Sequence, residues 1–223
     1  MEKRTLGKAG KDVTVFGFGG AETGFQGQAV AGRRNQFFLF TKCGHDKAGD
    51  HWNPQKMAAH PGRGQTRFIG YSGDGRAALY AVESGVFDTL QISVNIADQE
   101  GIDLAIPAAR AKGMGIIAKR PIANAVWKHA SKPDPYHQPY WERLPKLDYQ
   151  FLKGDFQNAV SIALRFTLAA PGVHTAIAGT TQPDRWCQNA ELLMKAGALE
   201  QGQFDEIHAR WKSIAGADWN GQT

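Results

Sequence analysis

From Thr66 to Ile214, short apolar runs alternate with amphipathic ones, and this alternation limits the fold more than any other feature of the chain. Arg67–Tyr71, Thr89–Val94, Gly115–Lys119 and Thr175–Ala178 have the length and apolar content of strands. Between and after them the spacing predicts helices. One covers Arg76–Ser84 and is stopped by Gly85; another covers Ile102–Lys112, bent or started by Pro107 and stopped at Gly113. A third covers Phe156–Ala170, its apolar stripe facing the core and its end set by Pro171-Gly172, and Gln203–Ile214 closes the chain. Upstream, RTLGKAGKDV predicts a hairpin turning at Gly7–Gly10, followed by strands over Val13–Phe18 and Phe37–Thr41. Strands that alternate with helices in this way belong to a parallel sheet with right-handed crossovers. Lys42, Ser72, Arg120 and Thr180 fall just after strands, where a (β/α) barrel keeps its chemistry. No Gly-x-Gly-x-x-Gly follows an early strand, so the expected class is α/β of the (β/α)8 TIM-barrel type rather than an open nucleotide-binding sheet. Only six parallel strand signals are recognisable, which predicts an incomplete or distorted barrel. The whole of residues 1–223 is expected to form one domain.

Composition narrows the partners. The 223 residues are 42% hydrophobic and 21% charged, ordinary for a soluble globular chain. The formal charge of +5 is spread along the sequence instead of being gathered in a stripe. That suits a small anionic ligand and argues against a nucleic-acid surface. Cys43 and Cys187 are the only cysteines, so no disulfide framework is available and a reducing compartment is expected. MEKRTLGKAGKD lacks the apolar core of a signal peptide, and no run approaches a membrane span. A cytoplasmic protein with no membrane partner is the expectation. The polar stretch His45–Gln65 is long for a structureless loop. Cys43 just before it and its His45, Asp46, Asp50, His51 and His60 match no closed zinc spacing, so no metal is expected there.

One segment invites an anion. His174–Asn189, HTAIAGTTQPDRWCQN, reads as a strand, a Gly-Thr-Thr turn and a helix with Pro183 at its start and Asp184 at its positive end. Small residues opening directly into a helix leave backbone N–H groups free, and Arg185 adds a cation. Two readings stand at this point: a phosphate site, or an ordinary strand-to-helix turn with a solvated arginine.

RTLGKAGKDVTVFGFGG, FFLFTKCG, GQTRFIGYSG, DTLQISVN, GIIAKRPIAN and AGTTQPDRWCQN together resemble an aldo-keto reductase, in that family's order and over most of the chain. The resemblance implies an NADP(H)-dependent (β/α)8 oxidoreductase that reduces the carbonyl of a small aldehyde or ketone to an alcohol. It places Ser72 on the nicotinamide carboxamide, with Gly73 where an asparagine is usual, and Gln91 beside the nicotinamide. Arg120, Pro121 and Ile122 match the segment along the pyrophosphate, with Lys119 where an aromatic often stacks. Gly179, Thr180 and Thr181 match the phosphate loop. Arg185 matches the partner of the adenosine 2′-phosphate, where a planar guanidinium gives bidentate contacts. Asn189 matches the adenine contact, and Gln188 stands in place of a common acid.

The catalytic pattern carries over in one residue. Lys42 matches the family lysine. The segment that would carry the Asp and Tyr, FIDTAxxYG, has no counterpart between Ala21 and Gln36, and DLVxLH, which would carry the His, has none in His45–Gln65. A general acid typically contributes about 10²–10⁴-fold, so the loss bears on turnover. Tyr71 is a poor replacement, because alternation points it away from Ser72. His45, three residues after Lys42, could reach the mouth. Two β/α portions are thus expected to be missing, with unpaired strand edges open to self-association. The alternative expectation is a non-catalytic, NADP(H)-binding remnant of the same fold.

Overall fold

The computed structural model describes residues 1–19, 67–180, 182 and 184–221. The hairpin comes first: β1 (Lys3–Thr5) pairs antiparallel with β2 (Asp12–Thr14), and a 3-10 turn over Gly7–Ala9 joins them. The expected strand Val13–Phe18 divides in two. Val15 donates its N–H back to Glu2, while its carbonyl accepts from Ala176, so the chain passes at that residue from the hairpin ladder to the main sheet. There β3 (Phe16–Gly19) begins.

The main sheet has five parallel strands: β3, β4 (Gly70–Ser72), β5 (Thr89–Ser93), β6 (Gly115–Lys119) and β7 (Thr175–Gly179). Their spatial order is β3-β7-β6-β5-β4. From β4 to β7 successive strands advance one place at a time, and β7 then pairs with β3. A doubly wound sheet reverses direction partway across; this order is the arc of a (β/α) barrel. No closed barrel is present among the described residues. The expected strand at 37–41, Lys42, the polar stretch 45–65 and the expected shortening all lie outside them.

Period-two alternation separates the two faces of the arc. Phe16, Tyr71, Leu90, Ile92, Ile116, Ala118 and Ala176 are buried and belong to one large core with the helices. These are α1 (Gly75–Glu83), α2 (Glu100–Leu104), α3 (Ile106–Ala111), α4 (Gln138–Leu147), α5 (Phe156–Ala169), α6 (Arg185–Ala196) and α7 (Gln201–Ile214). The expected helix over 102–112 is in fact broken at Ala105, because Pro107 has no N–H to continue the ladder. The apolar stripe of α5 is core-facing as expected, and Asp155 caps it by accepting from the Asn158 N–H at 2.7 Å. On the opposite face Leu6 and Val13 of the hairpin pack on Ile117, a small separate cluster that plugs the arc from below. Arg4 fixes this plug by donating to the carbonyls of Leu168 (2.9 Å) and Val173 (2.8 Å).

Residues 123–150, expected as a loop-rich surface flap, hold α4 instead. Pro139 sits near the start of that helix, where a proline is tolerated, and Tyr140, Leu144 and Leu147 face the core at helical spacing. Among the described residues no helix is long and apolar enough to cross a membrane.

His174 extends the ladder between β6 and β7 by donating its backbone N–H to the Ile116 carbonyl and accepting the Ile116 N–H on Nδ1, both at 3.0 Å. Burial, helped by nearby Arg4, pushes the imidazole below its ordinary pKa. The unfolded chain therefore takes up a proton near pH 6.5 that the fold resists, and stability falls as pH drops through that value. Thermal melts between pH 7.5 and 5.5 should decline in the wild type and flatten over this window in His174→Gln. Identical pH slopes in the two proteins would contradict it.

Candidate functional site

Parallel strands bring their last residues to one edge, and the inner face of that edge is polar. Ser72 and Gln91 are register partners on β4 and β5, and the Gly73 N–H donates to the Gln91 carbonyl at 3.1 Å. One step along, Ser93 on β5 is the partner of Lys119 on β6, which is in turn the partner of Ile177 on β7. Tyr71 lies on the other face, buried against Phe87 at 5.6 Å, as its parity requires.

Asp74, in the turn before α1, ties these strand ends together. Its Oδ1 accepts the Ser93 N–H at 2.6 Å, and its Oδ2 lies 3.2 Å from Ser93 Oγ and 2.7 Å from Lys119 Nζ. The side chains of Asp74 and Lys119 are only 3% and 12% exposed. Burial lowers the Lys119 ammonium pKa and Arg120 acts in the same direction, against the pull of Asp74 and Asp98. Arg120 follows with φ +57, a left-handed conformation uncommon outside glycine. Its guanidinium donates to Ser93 Oγ at 2.8 Å and to the Tyr136 hydroxyl at 3.0 Å, and lies 3.7 Å from Asp74. The neighbours Pro121 and Ile122 turn toward the core, where the Pro121 carbonyl lies 2.9 Å from Thr167 Oγ1. Behind this cluster the fully buried Tyr140 donates to Asp98 at 2.8 Å, and burial holds its phenol well above the ordinary range.

The second group stands at the join of β7 and α6. Gly179 pairs with Gly19 of β3 and is exposed. Thr180 Oγ1 accepts the Gln182 N–H at 3.1 Å, and Arg185 donates to Gln182 Oε1 at 2.9 Å. Asp184 makes no side-chain cap on the helix it precedes. One turn on, Gln188 is exposed and Asn189 is buried. Trp186 stacks on Phe16 at 5.6 Å and 17°, and its buried Nε1 has no hydrogen-bond partner among the described residues. Thr181 and Lys42 lie outside the described residues. β6 and β7 are adjacent, so both groups open on one edge of the sheet.

No family model matches the chain, and no curated protein sequence matches it. Solved structures do. The holo form of aldo-keto reductase AKR11C1 from Bacillus halodurans aligns with a TM-score of 0.62 at 19% identity, covering 98% of this chain and 99% of that one. Its apo form aligns with a TM-score of 0.59 at 18% identity and the same coverage. This chain shares its fold with these aldo-keto reductases.

Within an aldo-keto reductase fold, two departures of this chain have a local cause. Gly73 stands where the resemblance expects asparagine, and a Cβ there would meet the Tyr71 ring at 2.7 Å. The buried Tyr71–Phe87 contact therefore leaves room for glycine alone. Lys119 stands where the resemblance expects an aromatic, and its charge is held by Asp74. Sequence reasoning does not single out Asp74, Ser93 and Lys119 as site residues. The signal available was a lysine ending the apolar strand GIIAK at the same parity as the inward-facing Ile117.

Proposed function

We propose that this chain is an NADP(H)-dependent aldo-keto-reductase-like oxidoreductase acting on aldehydes or ketones. The observation that carries the reading is the placement of the Gly179–Thr180–Arg185 turn beside the polar ends of β4, β5 and β6 in this fold. The donor set suits a phosphorylated dinucleotide: a hydroxyl and a guanidinium at the opening of a helix of 12 residues, with the indole N–H of Trp186, unpartnered among the described residues, close by in sequence. When bound, the coenzyme supplies hydride to a carbonyl carbon. Gly179, Thr180, Thr181 and Arg185 would hold the phosphates, with Gln188 and Asn189 toward the adenine. Ser72 and Gln91 would orient the carboxamide end, with Arg120, Pro121 and Ile122 along the strand ends between. Lys42 is the one side chain assigned to carbonyl activation, as an electrostatic partner for the developing oxyanion.

A second reading, coenzyme binding without turnover, is favoured by the Lys119–Asp74 ion pair at the mouth and by the sequence's lack of the segments that carry the family's Asp, Tyr and His. Titration with NADPH, followed by tryptophan quenching, beside a carbonyl-reduction assay separates the two. Turnover abolished in Lys42→Met selects the enzyme; binding without turnover selects the second reading. Arg185→Ala should weaken NADPH by roughly 10–100-fold, the loss of a charge-assisted contact worth about 1.5–3 kcal/mol, and leave NADH nearly unchanged. Equal losses for both coenzymes would remove the 2′-phosphate assignment.

A further inference from the structure

We propose that Lys119 is a carbonyl-capturing amine, forming a Schiff base with small aldehydes at the mouth of the arc. Three features of its setting differ from those of an ordinary surface lysine. It ends β6 on the polar inner face, level with Ser93 and beside the Ser72–Gln91 pair. Its side chain is largely withdrawn from water, and its Nζ lies 2.7 Å from a carboxylate that Ser93 fixes through its backbone N–H. The groups facing it are Asp74 from the turn before α1, Arg120 from its own segment and Asp98 from the turn before α2, with the Tyr140 phenol of α4 behind. A desolvated amine with a second cation beside it, here Arg120, is the arrangement that makes a lysine nucleophilic, and the carboxylate provides a base for the proton that must leave.

The step balances without any coenzyme. Asp74 takes one proton from the ammonium, and the freed nitrogen lone pair bonds to the carbonyl carbon. The carbonyl oxygen collects a proton from the nitrogen, giving a carbinolamine. Asp74 returns its proton to that hydroxyl, the C–O bond breaks, and water leaves. An ammonium and an aldehyde become a protonated imine and one water, with no change of oxidation state.

The test uses the full chain, propionaldehyde and sodium cyanoborohydride at pH 7, with no nicotinamide coenzyme present. Imine formed at any lysine is reduced to a stable alkylamine and located by peptide mass spectrometry. Lys119 should be alkylated faster than Lys195 and Lys153, whose side chains are 80% and 57% exposed, because a desolvated amine gives up its charge more readily. Peptide mapping should show one fast lysine adduct, at Lys119, beside alkylation of the Met1 α-amine, and Lys119→Arg, which keeps the charge for Asp74, should lose the lysine adduct alone. Alkylation of Lys119 at or below the rate of the two exposed lysines overturns the proposal, and this comparison within the wild type does not depend on the variant folding. Loss of NADPH affinity would sink the coenzyme reading and leave the adduct untouched.

Discussion

Asp74→Ala is expected to destabilise the fold by about 3–5 kcal/mol, the range for removing one partner from a buried ion pair. The carboxylate is the common acceptor of the strand ends, with Lys119 at 2.7 Å, Arg120 at 3.7 Å and the Ser93 N–H at 2.6 Å. Its loss leaves a buried ammonium without its counter-charge and an N–H without its acceptor. The cost comes from stranding charge, so a compensating change should recover it. Asp74→Asn combined with Lys119→Met keeps an acceptor for the Ser93 N–H and removes the ammonium, and it should melt well above Asp74→Ala. Chemical denaturation of the single and double variants measures the coupling. A cost below about 1 kcal/mol for Asp74→Ala would mean that the cluster behaves like a surface pair.

Gly7→Ala is expected to cost about 2–5 kcal/mol, from two sources. Gly7 has φ +44, and a left-handed alanine costs about 1–2 kcal/mol. Its added Cβ would also run into the backbone of Gly113, Met114 and Gly115 at the entry to β6, adding about 1–3 kcal/mol of overpacking. The close approach exists because Lys8 donates its N–H to the Gly113 carbonyl at 2.6 Å, seating Leu6 under the sheet. Gly10, in the same turn, is the control. It has φ +60, but a Cβ there would meet nothing within 4 Å, so Gly10→Ala should show the conformational cost alone. Equal losses at the two positions would show that the plug tolerates a methyl group.

Much of the architecture was legible because it follows from local rules. The runs at 89–94, 115–119 and 175–178 became strands, the hairpin turned at Gly7–Gly10, and α5 buried the stripe its spacing announced. Legibility failed where local signals conflicted. Four prolines between Pro133 and Pro145 hid α4, although Tyr140, Leu144 and Leu147 carry a helical stripe. At Val15 an apolar run continues unbroken while its backbone partners change from the hairpin to β7. The site divides in the same way. The β7–α6 turn could be read as an anion site because glycine, threonine and arginine there are contiguous. Asp74 carries no such local signal, since its partners arrive from β5 and β6.

The sequence by itself determined most of the strands and helices among the described residues, because side-chain partition between water and core repeats with each element's own period. Only the tertiary structure decided that Asp74, Ser93, Lys119 and Arg120 share one buried cluster and that Gly73 has room for no side chain beside Tyr71. Strand register and ion pairing are set across space between distant segments, and no local pattern of residues encodes a distance.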